Sequence, residues 1–341
     1  MKLSSQKDII IFKYYPIPSS ISPFVKSYLI SKNPISLPSG LSHSKELSAN
    51  HFYPNIPVPL KRLQKNKHIL LKNLTKRKKS ATIMLISGKR SIPDMKTGLV
   101  VEGGGMKCAY SAGILDRFLD EHITFDYCIG VSAGSANTAS YLAGQRGRNL
   151  RFYVDHLNEP GYMGVRNLLR TGQFFGLQYI YQTLTNSDGA DPIDYPAIVE
   201  NPAEFELVAT DAATGKPVYF TKDDMKQDDY RAIMASCALP VMCRPISFHN
   251  ETYFDGGLSD SVPIERAFAK GCDRVVVILS KPRSFVKQPE GFRHIYRHAL
   301  RKYPQTIKAL DNRHLMYRQN IADVKKHETA GEASSLRLRK S

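Results

Sequence analysis

Between residues 97 and 144 the chain alternates twice between a short apolar run and a helical stripe, with glycine at the junctions. TGLVVEG (97–103) reads as a buried strand bounded by glycines. In KCAYSAGILDRFLDE (107–121), Ala109, Ala112, Leu115, Phe118 and Leu119 fall on one helical stripe. FDYCIGVS (125–132) reads as a second strand, and AGSANTASYLAG (133–144) as a helix of small residues. Strand–helix–strand–helix joined by turns this tight implies an α/β fold, a parallel sheet with helices on its faces.

The rest of the folded region extends that pattern. Residues 145–200 read as helical and irregular, and FELVATD (205–211) with KPVYF (216–220) as a hairpin-like pair. DDYRAIMASCALP (228–240) reads as a helix stopped by Pro240, SFHNETYF as a hairpin tip, and ETYFDGGLSD (251–260) as a strand ending in a glycine turn. PIERAFAKG (263–271) has Pro at its start and Gly at its end, the usual asymmetry of a helix. DRVVVILS (273–280) is an apolar parallel strand, and LDNRHLMYRQNIADVKKHE (310–328) a helix. TAGEASSLRLRKS then reads as a basic, strandless tail (329–341), which leaves a sheet edge open.

Residues 1–83 differ in kind. They hold 15 Lys and Arg against Asp8 and Glu46, so most of the net charge of +17 sits there. Residues 84–341 hold 33 bases against 29 acids, a balance that by itself compels no polyanionic partner. Prolines interrupt every candidate element of 1–83. Three readings compete: a basic disordered tail that touches anionic lipid, a targeting peptide, or a stretch foreign to the folded protein, with Met84 and Met95 as alternative starts. The composition favours the third. Nucleic-acid binding would rest on this stretch alone and is not expected. Five cysteines without a CxxC pair argue against a zinc site and for a reducing, cytoplasmic setting. No apolar run approaches the length of a membrane span.

Gly130-Val131-Ser132-Ala133-Gly134 falls at the second strand-to-helix junction. A serine on so sharp a turn needs small neighbours two residues either side, Gly130 and Gly134, so that chain segments can pass closely. The helix beginning at Ala133 turns its free N–H groups toward the same spot. Gly103, Gly104 and Gly105 follow the neighbouring strand. They can serve as a tight turn, or as bare N–H donors to the oxyanion formed when a serine attacks an ester, where one donor contributes roughly 3 kcal/mol. A dinucleotide loop fails, because Cys108 stands at the third glycine position of G-x-G-x-x-G.

A serine nucleophile needs a base. His122, His156, His249, His294, His298, His314 and His327 are the histidines of the folded region, and none lies in a glycine-punctuated strand-end turn. His249 sits at a hairpin tip, where an exposed turn residue is the simpler reading. Asp255 in YFDGGLSD follows an apolar strand and precedes Gly256 and Gly257, which would let the backbone approach the serine turn. A partly desolvated aspartate has a raised pKa and can take a proton from a hydroxyl.

EGGGMKCAYSAG, GVSAGS and DGG, in this order, resemble the glycine-rich loop, nucleophile elbow and catalytic aspartate turn of the patatin-like phospholipases. TDAATGKPVYF (210–220) and ASCALP (235–240) match further landmarks, and the likeness covers about residues 96–325. It implies a three-layer α/β/α fold with a mostly parallel sheet. It also implies a Ser132–Asp255 dyad without histidine, an oxyanion hole at Gly103, Gly104 and Gly105, and an acyl-enzyme resolved by water. No metal or cofactor is implied. The expected substrate is a phospholipid or other acyl-ester lipid, cut as by a phospholipase A or lysophospholipase, in the cytoplasm or in peripheral contact with a membrane. Acyl transfer by the same dyad and a non-catalytic lipid-surface role are the alternatives, and the oligomeric state is left open. The apolar stretch 160–185 would line an acyl-chain groove or serve as ordinary helical core.

Overall fold

The structure is a computed structural model that describes residues 95–337. The expectations for residues 1–83 lie outside the described residues. The strands are β1 (Thr97–Val101), β2 (Tyr127–Val131), β3 (Glu204–Asp211), β4 (Pro217–Thr221), β5 (Ile246–Phe248), β6 (Glu251–Asp255), β7 (Arg274–Leu279) and β8 (Ala333–Arg337). They form one sheet in the order β5-β6-β3-β2-β1-β7-β8, with β4 also paired to β3. β1, β2, β3, β7 and β8 run parallel, and β4 and β6 run antiparallel to β3. The C-terminal ends of β1, β2 and β7 therefore lie along one edge of the sheet.

Helices cover both faces. They are α1 (Ala109–Asp120), α2 (Ala133–Leu142), α3 (Arg148–Val154), α4 (Val165–Thr171), α5 (Tyr195–Glu200), α6 (Arg231–Cys237), α7 (Ile264–Ala269), α8 (Arg293–Ala299) and α9 (Pro304–Ala330). Successive side chains of a strand point to opposite faces, and the core divides accordingly. Leu99, Val101, Cys128 and Leu207 pack with Leu115 of α1, Ala139 of α2 and Ile233 of α6. Val100, Ile129, Val208 and Val277 pack on the other side with Ile264 of α7 and with Tyr317 and Val324 of α9. The result is the three-layer α/β/α arrangement, built on strands buried on both faces, as parallel sheets require.

The structure corrects the sequence reading in four places. The tail after residue 329 is not strandless: α9 runs to Ala330, and β8 then pairs parallel with β7 from Val275↔Ala333 to Leu279↔Arg337. The sheet edge expected to be open along β7 is thus filled. The helix expected over 228–240 is confined to Arg231–Cys237. The helix expected from residue 107 begins as a 3₁₀ turn at Gly105–Cys108 and becomes α-helical at Ala109. The helix expected over 310–328 starts earlier, at Pro304, where a proline without N–H is tolerated in the first turn. The hairpin tip expected around His249 is present: His249 (φ 49°) and Asn250 (φ 63°) both occupy the left-handed region, as a two-residue turn of the primed type requires. In 160–185, Tyr162, Ile180 and Leu184 pack with Phe152 as ordinary core. No helix among the described residues is long and apolar enough to cross a membrane.

Candidate active site

Ser132 is the residue between β2 and α2, and its backbone is strained, with φ 56° and ψ −132°. A non-glycine residue in that region costs roughly 1–3 kcal/mol and persists only where its surroundings fix it. The fixing groups are visible. The Ser132 N–H donates to Ser236 Oγ at 2.9 Å. Ser236 Oγ in turn donates to the Val208 carbonyl at 2.6 Å and lies 2.7 Å from Ser135 Oγ. One fully buried hydroxyl on α6 thereby ties the serine turn to β3 and α2.

Asp255 ends β6 and is 2% exposed. Its Oδ1 accepts the Gly257 N–H at 2.8 Å, and the Ser132 hydroxyl lies near enough to favour its charged form. Its main chain is held on both sides. The Asp255 N–H donates to the Ala238 carbonyl at 2.9 Å, and its own carbonyl accepts Thr210 Oγ1 at 2.8 Å. Burial pushes the Asp255 carboxyl above the ordinary carboxylate range. The Arg313 guanidinium, the Ser132 hydroxyl, the Gly257 N–H and Lys281 pull it back without cancelling that effect.

The three glycines after β1 are bare for three different reasons. A side chain at Gly103 would sit 2.7 Å from the Val131 carbonyl and 2.8 Å from Ser132 Cβ, so this loop runs directly against the serine turn. At Gly104 it would strike Ser280 Oγ at 2.6 Å. Gly105 has open space around it but takes φ +55°, where glycine costs least. The N–H groups of Gly103 and Gly104 donate to no acceptor among the described residues, which leaves them free for a ligand oxygen. The elbow glycines serve close approach. Gly134 lies under the Val101 carbonyl (2.4 Å from a would-be Cβ), and Gly130 under the backbone of Ser135 (2.5 Å).

Gly256 and Gly257 depart from the sequence expectation. They do not make room for the serine turn. Gly256 abuts the Val208 carbonyl of β3 at 2.1 Å from a would-be Cβ, and Gly257 faces Asp255 Oδ1 and Arg313.

Three of the histidines are engaged elsewhere. His156 bridges Glu159 and Asp191, His327 bridges Glu332 and Glu265, and His249 stacks on Phe248. The neighbouring thiols are protonated, since burial pushes Cys108 up to about 12 and Cys237 well above its ordinary value. No group of three or more His, Cys, Asp or Glu among the described residues is arranged to hold a metal ion.

Residues that sequence reasoning missed complete the surroundings. Glu102, 1% exposed, precedes the glycine loop. It accepts the Ser280 N–H at 2.7 Å and pairs with Lys281, while Ser280 Oγ donates to the Gly103 carbonyl at 2.7 Å. Arg313 on α9 donates through Nε to the Gly257 carbonyl at 2.7 Å and through Nη1 to Glu290 at 3.2 Å. A polar pair, Ser280-Lys281, after an otherwise apolar strand was a legible signal for Lys281. Arg313 had none, because only the packing of α9 brings it to the turn.

Ser236→Ala is expected to lower stability by about 1–3 kcal/mol, because it leaves the buried Ser132 N–H and Val208 carbonyl without their partner. Urea unfolding checks this. A midpoint unchanged from wild type would mean that the hydroxyl does not hold the turn.

Among known proteins, the chain is 26% identical over 204 residues to the uncharacterized protein YjjU of Escherichia coli (strain K12). That match covers 59% of this chain and 57% of the relative, so the chain spans little more than half the length of that relative. The crystal structure of VipD from Legionella pneumophila aligns at 16% identity with a TM-score of 0.33, over 57% of this chain and 51% of that one. The model of the patatin-like phospholipase family matches residues 99–268, from the first strand through the serine turn and the aspartate turn to α7. That match and the three-layer α/β/α arrangement agree, and the chain carries a patatin-like phospholipase domain over residues 99–268.

Proposed function

We propose that the protein is a serine-dependent lipid acyl hydrolase of the phospholipase A or lysophospholipase type, working through Ser132 and Asp255. The observation that carries this reading is the buried Asp255 carboxylate within interaction range of the Ser132 hydroxyl, beside a glycine loop with free N–H groups. In this mechanism Ser132 Oγ attacks the ester carbonyl carbon as its proton passes to Asp255. The carbonyl π pair moves onto oxygen, where the N–H groups of Gly103, Gly104 and Gly105 receive it. Collapse of the tetrahedral species breaks the bond to the alcohol, which leaves with the proton from Asp255. Water then attacks the acyl-enzyme, again delivering its proton to Asp255, and the fatty acid departs as Ser132 recovers its proton. A carboxyl raised by burial suits both halves, because burial moves its proton affinity toward that of the hydroxyls it exchanges protons with.

The five free cysteines favour a cytoplasmic setting for this activity. The test is fatty-acid release by the full chain from mixed phospholipid vesicles, run beside a soluble short-chain ester. Release from both is expected. A folded protein that cleaves neither would overturn the reading.

A further inference from the structure

The even balance of charge over residues 84–341 conceals a polar distribution. Residues 281–320 carry ten Lys and Arg against only Glu290 and Asp311, whereas the remainder of 84–341 carries 23 bases and 27 acids. This basic stretch leaves the C-terminal end of β7 and borders the candidate site on both sides. Lys281 pairs with Glu102 at the start of the glycine loop. Arg313 holds the Gly257 carbonyl, and Tyr296 and Leu300 pack with Phe254, the residue before Asp255.

The same stretch exposes large apolar side chains. Phe292 is 83% exposed, and Val286 and Ile295 are each 56% exposed. Phe292 also stands at φ 54°, a left-handed conformation that is uncommon for a bulky residue. The fold thus bears both exposure and backbone strain to hold this ring outward. Some of the bases are internally matched: Arg293 and Arg297 pair with Asp311, and Lys287 with Glu290. Arg301, Lys302 and Lys308 make no ion pair among the described residues. Exposed apolar anchors inside a basic field, on the stretch that flanks the candidate site, are the arrangement that seats a protein on an anionic bilayer.

We infer that residues 281–302 form the surface that docks the enzyme on anionic lipid, with Phe292 and Ile295 entering the interface and Arg301 and Lys302 meeting the headgroups. The inference rests on the proposal above that the substrate is a lipid, and it goes beyond it by placing the docking surface and fixing the sign of the headgroup charge.

The chain contains no tryptophan, so F292W supplies a single emitting indole in the full-length protein. Val199, on α5 before β3 and therefore at the opposite edge of the sheet, is 50% exposed and gives the control V199W. With vesicles containing phosphatidylglycerol, F292W emission should shift to the blue and be quenched by brominated acyl chains. V199W should not respond, and neither should F292W with phosphatidylcholine alone. Removing two bases by R301A/K302A in the F292W protein should raise the lipid needed for half the shift about twenty-fivefold, at about fivefold per base.

Pelleting with the vesicles through the bases of residues 1–83 leaves the F292W spectrum unchanged, and that result would overturn the proposal. An equal shift of V199W, or a shift of F292W with duplex DNA in place of vesicles, would overturn it as well. Turnover of the soluble short-chain ester, measured in parallel, reports on Ser132 separately. Its loss with docking intact would fault the hydrolase reading and not this one.

Discussion

Ser132→Ala is expected to lower ester turnover by at least ~10⁴-fold, the scale seen when the nucleophile of a serine hydrolase is removed. No other side chain can take its place. Cys108 is buried and Cys237 partly buried, both thiols are held protonated at neutral pH, and the oxyanion donors alone form no covalent bond. The fold should survive, because the backbone strain at position 132 belongs to the turn, and the N–H bond to Ser236 does not use the hydroxyl. Loss of the hydroxyl beside Asp255 should change stability by no more than about 1 kcal/mol. Steady-state turnover of a soluble ester together with a urea melt checks both parts. Substantial activity in a folded Ser132→Ala protein would remove the nucleophile from this account.

Asp255→Asn should separate activity from stability. Turnover should drop by roughly 10²–10⁴-fold, because an amide cannot take the Ser132 proton. Stability at pH 7 should rise. The Asp255 carboxyl is raised in the folded protein, chiefly by burial, so ionising it costs more folded than unfolded. Its contribution to stability is full below the unfolded carboxylate pKa and is lost as pH rises through the folded value. Asparagine never ionises, and its side-chain oxygen can still accept the Gly257 N–H. The Tm of Asp255→Asn should therefore exceed that of wild type at pH 7, and the gap should narrow toward pH 3.5. A gap that widens in acid would show that Arg313 and Lys281 outweigh burial at this carboxyl.

Much of this arrangement was legible before the fold was known, for a physical reason. Parallel strands buried on both faces read as continuous apolar runs, and segments that pass within van der Waals contact force glycine, so β1, β2, β7 and the residues around Ser132 announce themselves. What escaped depends on tertiary neighbours. β8 is ASSLR, half-exposed at the sheet edge, and it is a strand because its main chain pairs with β7 and not because of its side chains. The role of Gly256 and Gly257 was misread because the sequence shows that something comes close, not what. Arg313 lies far along the chain from Asp255, and only the packing of α9 brings them together. The basic stretch 281–320 was hidden by summation, since acids elsewhere in the domain offset it.

The account turns on an activated serine at position 132, and labelling of the full chain with a fluorophosphonate probe tests that most directly, because it requires no choice of substrate. One adduct per chain is expected, mapped to Ser132 by peptide mass and absent from Ser132→Ala. A protein folded by circular dichroism that takes no label, or takes it at another residue, would contradict the account.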